Sequence, residues 1–295
     1  MIAVIQPGLV DYATALELQQ SLVDLRKQSR IPDTLLLLEH PAVITLGRNS
    51  RPENLLVSRG LLRERAVELY ACNRGGDVTF HGPGQLVGYP IFDLRSQVRS
   101  DLGEVLRQKK NAGMGAVQFV RLLEEALIRT CVEFGVNTQR MKGLTGVWTT
   151  AAAPAKVAAI GIHISRGVTS HGFALNLTTD LEYFKLIVPC GITGHGVTSL
   201  AKEISGPRDL STGRAAEIVA RNFGKVFASQ ILWLDSLEGL LAAEPGEDIS
   251  DAGNDVIDTV PGPGLPANQD VPLQVPDEIR RIPAEPDPSK ERFWA

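Results

Sequence analysis

A chain of 295 residues carrying 30 Lys and Arg against 34 Asp and Glu is longer than one average domain, and a single large α/β domain with an appendage accounts for the length. Residues 244–295 hold nine prolines and 12 acidic against 4 basic side chains, a net of −8, so the whole-chain charge of −4 leaves +4 on residues 1–243. That balance is too weak for a nucleic-acid partner, three cysteines are too few and odd in number for a disulfide framework, and the longest aliphatic run, residues 35–38, is no membrane span. The first residues, MIAVIQPGLVDY, have neither a positive n-region nor a long apolar stretch, so no secretory signal is read, and a reducing cytoplasm fits the cysteine usage.

In chain order, residues 2–5 read as a short strand ended by Pro7-Gly8. Asp11 then caps a helix running to about residue 29, on which Tyr12, Ala15, Leu16, Gln19 and Leu22 recur at helical spacing. Residues 34–39 and 42–46 read as strands separated by His40-Pro41, with His40 as a loop histidine. A short helix over 59–67 and a strand over 68–72 lead into the run RGGDVTFHGPGQLVGYPIFD, residues 74–93. There Gly75, Gly76, Gly82 and Gly84 let the backbone turn sharply or approach a ligand, while Thr79, His81 and Gln85 leave polar groups at its edge. A plain glycine-rich hairpin has the same composition.

Residues 113–134 read as a helix with an apolar face ending at Gly135, and residues 86–92 as a strand before it. From Val147 the pattern is VWTT, KVAAIGIHI and SHGFALNL, the last two joined at Arg166-Gly167, followed by a short helix from Asp180 and a final helix over 212–230. Helices mixed with strands joined by short turns suggest one mixed sheet with helices packed on it. After residue 243 the composition cannot bury enough surface to offset its ordering entropy, which divides the chain into a body, 1–243, and a proline-rich acidic tail, 244–295, expected to be disordered.

Cys72 and Cys131 fall among apolar residues and read as buried small hydrophobes. Cys190 differs, lying between Pro189 and Gly191 outside any periodic pattern, as an accessible loop thiol would. A thiol with a pKa of about 8.5 is only a few per cent thiolate at neutral pH, so a nucleophilic role needs a partner. Lys156, at the start of the strand VAAIGI, is the candidate; its ordinary alternative is a strand-end lysine reaching solvent. His163, His171 and His195 lack ligand-pair spacing to cysteine or carboxylate partners, so no metal is expected.

The spelling is more specific than the composition. Arg-Gly-Gly, Thr-aromatic-His, Gly-Pro-Gly-Gln and Tyr-Pro within 74–90, EHPAVITLGR at 39–48, the lysine before the Ala-Ile-Gly strand, SHGFALN and Pro-Cys-Gly-Ile together closely resemble the signature of octanoyltransferases, also called lipoyl(octanoyl) transferases. The resemblance covers most of residues 35–200 and departs from the family at His163, where many relatives carry arginine or another residue. It implies an α+β fold shared with lipoate and biotin protein ligases, with a largely antiparallel central sheet flanked by helices, in which 1–243 is the catalytic domain.

The resemblance also implies that Cys190 carries the acyl group as a thioester and that Lys156 activates it. Arg74, Gly75, Gly76, Asp77, Val78, Thr79, Phe80 and His81, with Ala159, Ile160 and Gly161 and with Gly172, Phe173 and Ala174, would line the acyl-substrate site. The implied donor is octanoyl-acyl carrier protein. The implied acceptors are lipoyl domains of 2-oxoacid dehydrogenase complexes and the glycine cleavage H protein, with no cofactor, nucleic acid or membrane involved. Aliphatics over 157–164 would wall the acyl tunnel, with His81 and His171 lining it or orienting the acyl carbonyl. Backbone N–H groups near Gly75-Gly76 or Gly191 would stabilise the oxyanion. The alternatives are an ATP-dependent lipoate protein ligase, which needs no nucleophilic cysteine, a non-catalytic protein binding carrier proteins or lipoyl domains, and a cysteine hydrolase.

Overall fold

A computed structural model describes residues 1–96, 113–189, 194–243, 275–276 and 279. Strand β1 (Ile2–Leu9) does not stop at Pro7-Gly8. It absorbs both in a register shift between Ile5 and Gly8, where Gly8 has φ +81°, and continues along its partner. Asp11 caps α1 (Tyr12–Lys27) by accepting the Thr14 N–H at 2.9 Å, and α1 returns the chain to β2 (Asp33–Glu39).

Strands β3 (Val43–Leu46), β4 (Glu68–Ala71) and β5 (Val78–His81) form a separate three-stranded sheet in the order β4-β3-β5, with α2 (Arg59–Glu64) between β3 and β4. The expectation of one sheet is therefore corrected to two. β5 lies inside the glycine-rich run, and its four residues are all buried, so part of what reads as loop is ladder. β6 (Gln85–Ile91) then enters the main sheet.

That sheet has eight strands in the order β11-β1-β2-β6-β10-β9-β8-β7, completed by β7 (Thr138–Met141), β8 (Leu144–Thr149), β9 (Lys156–Ser165), β10 (Val168–Asn176) and β11 (Ile231–Trp233). Only β11-β1 and β1-β2 pair in parallel; the other neighbours are antiparallel. Arg166 and Gly167, both at positive φ, close the β9–β10 hairpin.

One face of this sheet packs on α3 (Ala116–Glu133) and α5 (Thr212–Phe227), where Leu35, Leu37, Phe92, Val157, Phe173 and Leu175 meet Phe119, Leu123, Leu127, Phe223 and Phe227. The other face packs on α1, where Ala3, Ile5, Leu36, Leu38, Val87 and Tyr89 meet Ala15, Leu18 and Leu22. Alternation along the strands sorts the side chains between the two layers. Short α4 (Leu200–Glu203) and α6 (Leu237–Ala242) fill the ends. Among the described residues no helix is long and apolar enough to cross a membrane.

His40 is no surface loop residue: it is fully buried, its Nδ1–H donating to Val10 O at 2.6 Å and its Nε2 accepting from the Tyr89 hydroxyl at 2.7 Å. Of the tail, residues 244–274, 277–278 and 280–295 lie outside the described residues. Ile279 is 0% exposed in the α1-side cluster with Leu237 and Leu240 of α6, and Val275 packs against it. At these two positions the tail meets the body; the rest of the expectation for 244–295 lies outside the described residues. A lone valine and isoleucine four residues apart make too little periodicity to be read as a docking element.

Candidate active site

The glycine-rich run wraps the α1-side face of the main sheet where β9 and β10 carry small residues. The Gly75 N–H donates to Ile162 O on β9 at 2.9 Å, and a Cβ on Gly161 would lie 2.6 Å from Gly75 O. On the loop's other side a Cβ on Gly47, just after β3, would meet Gly76 O at 2.5 Å. Bare backbone at these two points lets one loop thread between two sheets. Arg74 anchors it: the guanidinium is 8% exposed and donates to Thr45 O at 2.7 Å, to Thr45 Oγ1 and to Gly75 O.

Between loop and sheet lies a cleft, and most of the residues expected there line it. Arg74, Gly75, Gly76, Asp77, Thr79 and His81 come from the loop and β5; Ala159, Ile160 and Gly161 from β9; Gly172, Phe173 and Ala174 from β10. Val78 and Phe80 do not. They alternate to the opposite face of β5, where Phe80 stacks on Tyr183 at 4.7 Å and meets Phe184 edge-on in a third apolar cluster. The expected aliphatic wall over 157–164 is corrected likewise. Val157 is in the α3/α5 core and Ile160, Ile162 and Ile164 pack against that core, so of the aliphatics only Ile160 also lines the cleft, beside Ala159 and Gly161. Tyr12, Val87 and Tyr89 complete the lining. The sequence gives Tyr12 as a core position of its helix, with no sign that it faces a cleft.

A smaller cavity continues the first, sharing Thr79, Ala159 and Ala174 and adding Gln85, Lys156, Asn176, Phe184, Pro189 and Val197. Lys156 is 6% exposed, so it is not the solvent-reaching strand-end lysine. Its backbone N–H donates to Gly196 O and its carbonyl accepts the Thr198 N–H, each at 2.9 Å. Cys190 and Gly191 lie outside the described residues. What the structure describes is the residues on either side: Pro189 lines the cavity with Lys156, and residues 196–198 run along Lys156.

The buried polar groups have fixed proton positions. The Asn176 amide donates to Thr198 O at 2.8 Å, so its oxygen accepts from Gln85 Nε2, which also donates to Phe80 O; Gln85 Oε1 then accepts His81 Nδ1–H at 2.7 Å. Two backbone carbonyls therefore set the His81 tautomer and leave Nε2 as an acceptor. Burial, reinforced by His40, depresses its pKa to about 3. His171, held in the left-handed region at φ 53°, has its N–H bound by Gln19 Oε1 and its ring bonded to Asn73 Oδ1, and burial beside Arg74 takes it to about 3. Neutral His81 with an unprotonated Nε2 has no N–H there to offer an acyl carbonyl, and both His81 and His171 line the cleft, the other role expected of them. The Gly75 N–H, already bonded to Ile162 O, is likewise no oxyanion donor. His163 is half-buried, its pKa lowered by burial and then by Arg48 and Lys27.

The chain matches the family described as the lipoyl protein ligase A/B catalytic domain over residues 11–224. It is 50% identical over 282 residues to an octanoyltransferase of Koribacter versatilis, covering 96% of this chain and 97% of that one. It is 56% identical over 237 residues to one of Acidobacterium capsulatum, covering 79% and 93%. The chain belongs to the octanoyltransferase family. As a member of it the protein is an enzyme, an acyltransferase, and the cleft under the glycine-rich run is its candidate active site. The bipartite lipoate protein ligase of Thermoplasma acidophilum superposes with a TM-score of 0.56 at 15% identity, covering 82% of this chain and 91% of that one. Lipoate-protein ligase A bound with ATP gives 0.56 at 12%, covering 82% and 93%. At such identities the likeness is one of fold.

Proposed function

We propose that this octanoyltransferase moves an octanoyl group from octanoyl-acyl carrier protein to a lysine of lipoyl domains in two steps, through a thioester on Cys190. The observation that carries the reading is the buried Lys156, which shares a cavity with Pro189, the residue before Cys190, and is bonded through its backbone to residues 196 and 198 beyond it. In the first step the Cys190 thiolate attacks the donor carbonyl, a new C–S bond forms, and the carrier's thiolate leaves and takes up a proton. One thioester replaces another at little cost. In the second a neutral lysine amine attacks, the C–N bond forms, Cys190 leaves as thiolate, and the amine's surplus proton passes to Lys156 or to the departing sulfur. The amide is more stable than the thioester, so neither ATP nor a cofactor enters the balance.

Lys156 as an ammonium stabilises the thiolate, and as an amine accepts a proton. Eight carbons buried at about 0.8 kcal/mol per methylene contribute roughly 5 kcal/mol to binding. The acceptors that fit the reading are lipoyl domains of 2-oxoacid dehydrogenase complexes and the glycine cleavage H protein, and the reaction is that of a soluble cytoplasmic enzyme. An ATP-dependent ligase shares the fold, yet the relatives near 50% identity are named octanoyltransferases. The test is intact-protein mass spectrometry after mixing with octanoyl carrier protein. One hydroxylamine-labile adduct is expected on wild type and on Cys72→Ala, and none on Cys190→Ala. An adduct that persists in Cys190→Ala overturns the assignment, and strict ATP dependence of transfer replaces it with the ligase.

A further inference from the structure

Strands β8 and β9 do not pair one for one. Val147 faces Ala158, but Trp148 faces Lys156, so β9 has one residue more than its partner at this point. Such a bulge re-aims the side chain beside it. Here it brings Lys156 Nζ over the indole of Trp148, 4.8 Å from the ring centroid, with Trp148 only 1% exposed. Gly146, at φ +123°, lies alongside, where a Cβ would stand 2.7 Å from Ala158 O. A Cβ there would stand 3.5 Å from both Cδ and Cε of Lys156, so the lysine stem runs past a bare glycine and ends on the aromatic face.

Two further contacts fix this arrangement. The fully buried Glu124 of α3 accepts the Gly146 N–H at 3.1 Å and is itself held by Arg121 and Arg140. The indole also meets the ring of His195 edge-on at 5.4 Å, in the stretch that follows Cys190 in the chain. The indole N–H has no hydrogen-bond acceptor among the described residues.

We propose that Trp148 is a positioning residue for Lys156, its π face holding the lysine as an ammonium in the cavity that Pro189 lines. The proposal rests on the Cys190–Lys156 reading above. Burial by itself disfavours an ammonium, and the negative face of an indole offsets that where water is excluded. The described side chains that share the cavity with Lys156, Thr79, Gln85, Asn176 and Phe184 among them, are uncharged. Among the described residues, ionisable groups on the elements around it include His195 beside the indole, Glu124, which accepts the Gly146 N–H, with its two arginines, and Arg74 in the adjoining cleft. Removing the ring weakens the hold on the ammonium. The Cys190 thiolate then loses part of its stabilisation, so the thiol reacts only at higher pH.

The experiment measures Cys190 alkylation against pH by peptide mass spectrometry, with acyl transfer over the same range, in the full chain. Trp148→Leu should raise the alkylation midpoint by about one pH unit, the scale of a desolvated cation–π contact, while Trp148→Phe, which keeps a ring face and loses the N–H, should recover most of the shift. A Trp148→Leu variant that melts cooperatively with an unmoved midpoint overturns the proposal. So does Trp148→Phe behaving like Trp148→Leu, since the N–H would then be the operative group. Should Trp148→Leu fail to fold, fluorinated tryptophans in the wild-type chain weaken the ring's negative face at constant shape. The midpoint should climb with each fluorine, and a flat response refutes the role. Lys156→Ala is the control: if it leaves the midpoint unmoved, the failure lies in the cysteine–lysine reading and not in Trp148.

Discussion

The two faces of the eight-stranded sheet are built to different rules. On the α3/α5 side Phe92, Phe119, Phe223 and Phe227 interlock at centroid distances of 5.2–6.4 Å in a mostly apolar layer that also holds the bonded Glu124, Thr130 and Asn222. On the α1 side the same strands and their neighbours bury His40, His81, His171, Arg74 and Gln19. Burying polar groups weakens a layer unless each is bonded, and most of these are. The comparison suggests that one face supplies the stability against which the other can hold polar chemistry in place.

The largest expected effect comes from acid, and it should act on the α1 face alone. His40, His81 and His171 have pKa values depressed by burial to about 4, 3 and 3, below the value near 6.5 of the unfolded chain. Between those limits the unfolded state binds the protons first. The stability from keeping these rings neutral is therefore full above about pH 6.5 and is lost as pH falls. By pH 5 the loss is about 2 kcal/mol for each ring, or roughly 6 for three. Urea unfolding at pH 7 and 5 measures it, and His40→Gln should remove about a third of the slope. A slope unchanged in that variant would mean that the α1 face does not carry the burden assigned to it.

Next in size is a break on the other face. Phe223→Ala empties a site among three aromatic neighbours and should destabilise by about 3–5 kcal/mol, with the rate per folded molecule little changed. Lys156→Ala should do the reverse. Transfer should slow by two orders of magnitude or more, about 2.7 kcal/mol of barrier, at nearly constant melting temperature. If Phe223→Ala abolished transfer well below its melting point, the faces would not be separable.

Much of this was legible in the sequence, for identifiable reasons. Asp11 as a cap, the helix ended at Gly135 and the Arg166-Gly167 turn are local events, and each appears where local rules put it. The cleft lining was legible because the motifs name residues that converge from β5, β9 and β10. What was hidden is non-local. Val78 and Phe80 carry the motif's spelling but face away, which only the β3–β5 pairing decides. The burial of His40 depends on Val10 and on Tyr89, 49 residues away. Trp148 read as one more strand residue because a bulge in β9, invisible in spelling, turns Lys156 onto it.

The smallest expected effect concerns the tail, whose described residues meet the α1-side cluster. Ile279 is buried against α6 and Val275 packs beside it. Burying two aliphatic side chains gives roughly 3–5 kcal/mol, while ordering the few residues that carry them costs about 1–2 kcal/mol each. The two terms nearly cancel, leaving a net on the order of 1 kcal/mol at most. Truncation after residue 243 should therefore lower the melting temperature by about 2–4 °C and leave acyl transfer within a few fold, and Ile279→Ala in the full chain should reproduce most of the change. The same truncation removes a net charge of −8 from beside a body of +4, so salt separates the two contributions. Apolar docking persists in salt, whereas an electrostatic one fades above about 0.15 M, where the screening length is near 8 Å. A drop beyond about 10 °C would make the tail part of the body's core, and no drop at any salt would mean that the contact made by Ile279 carries no stability.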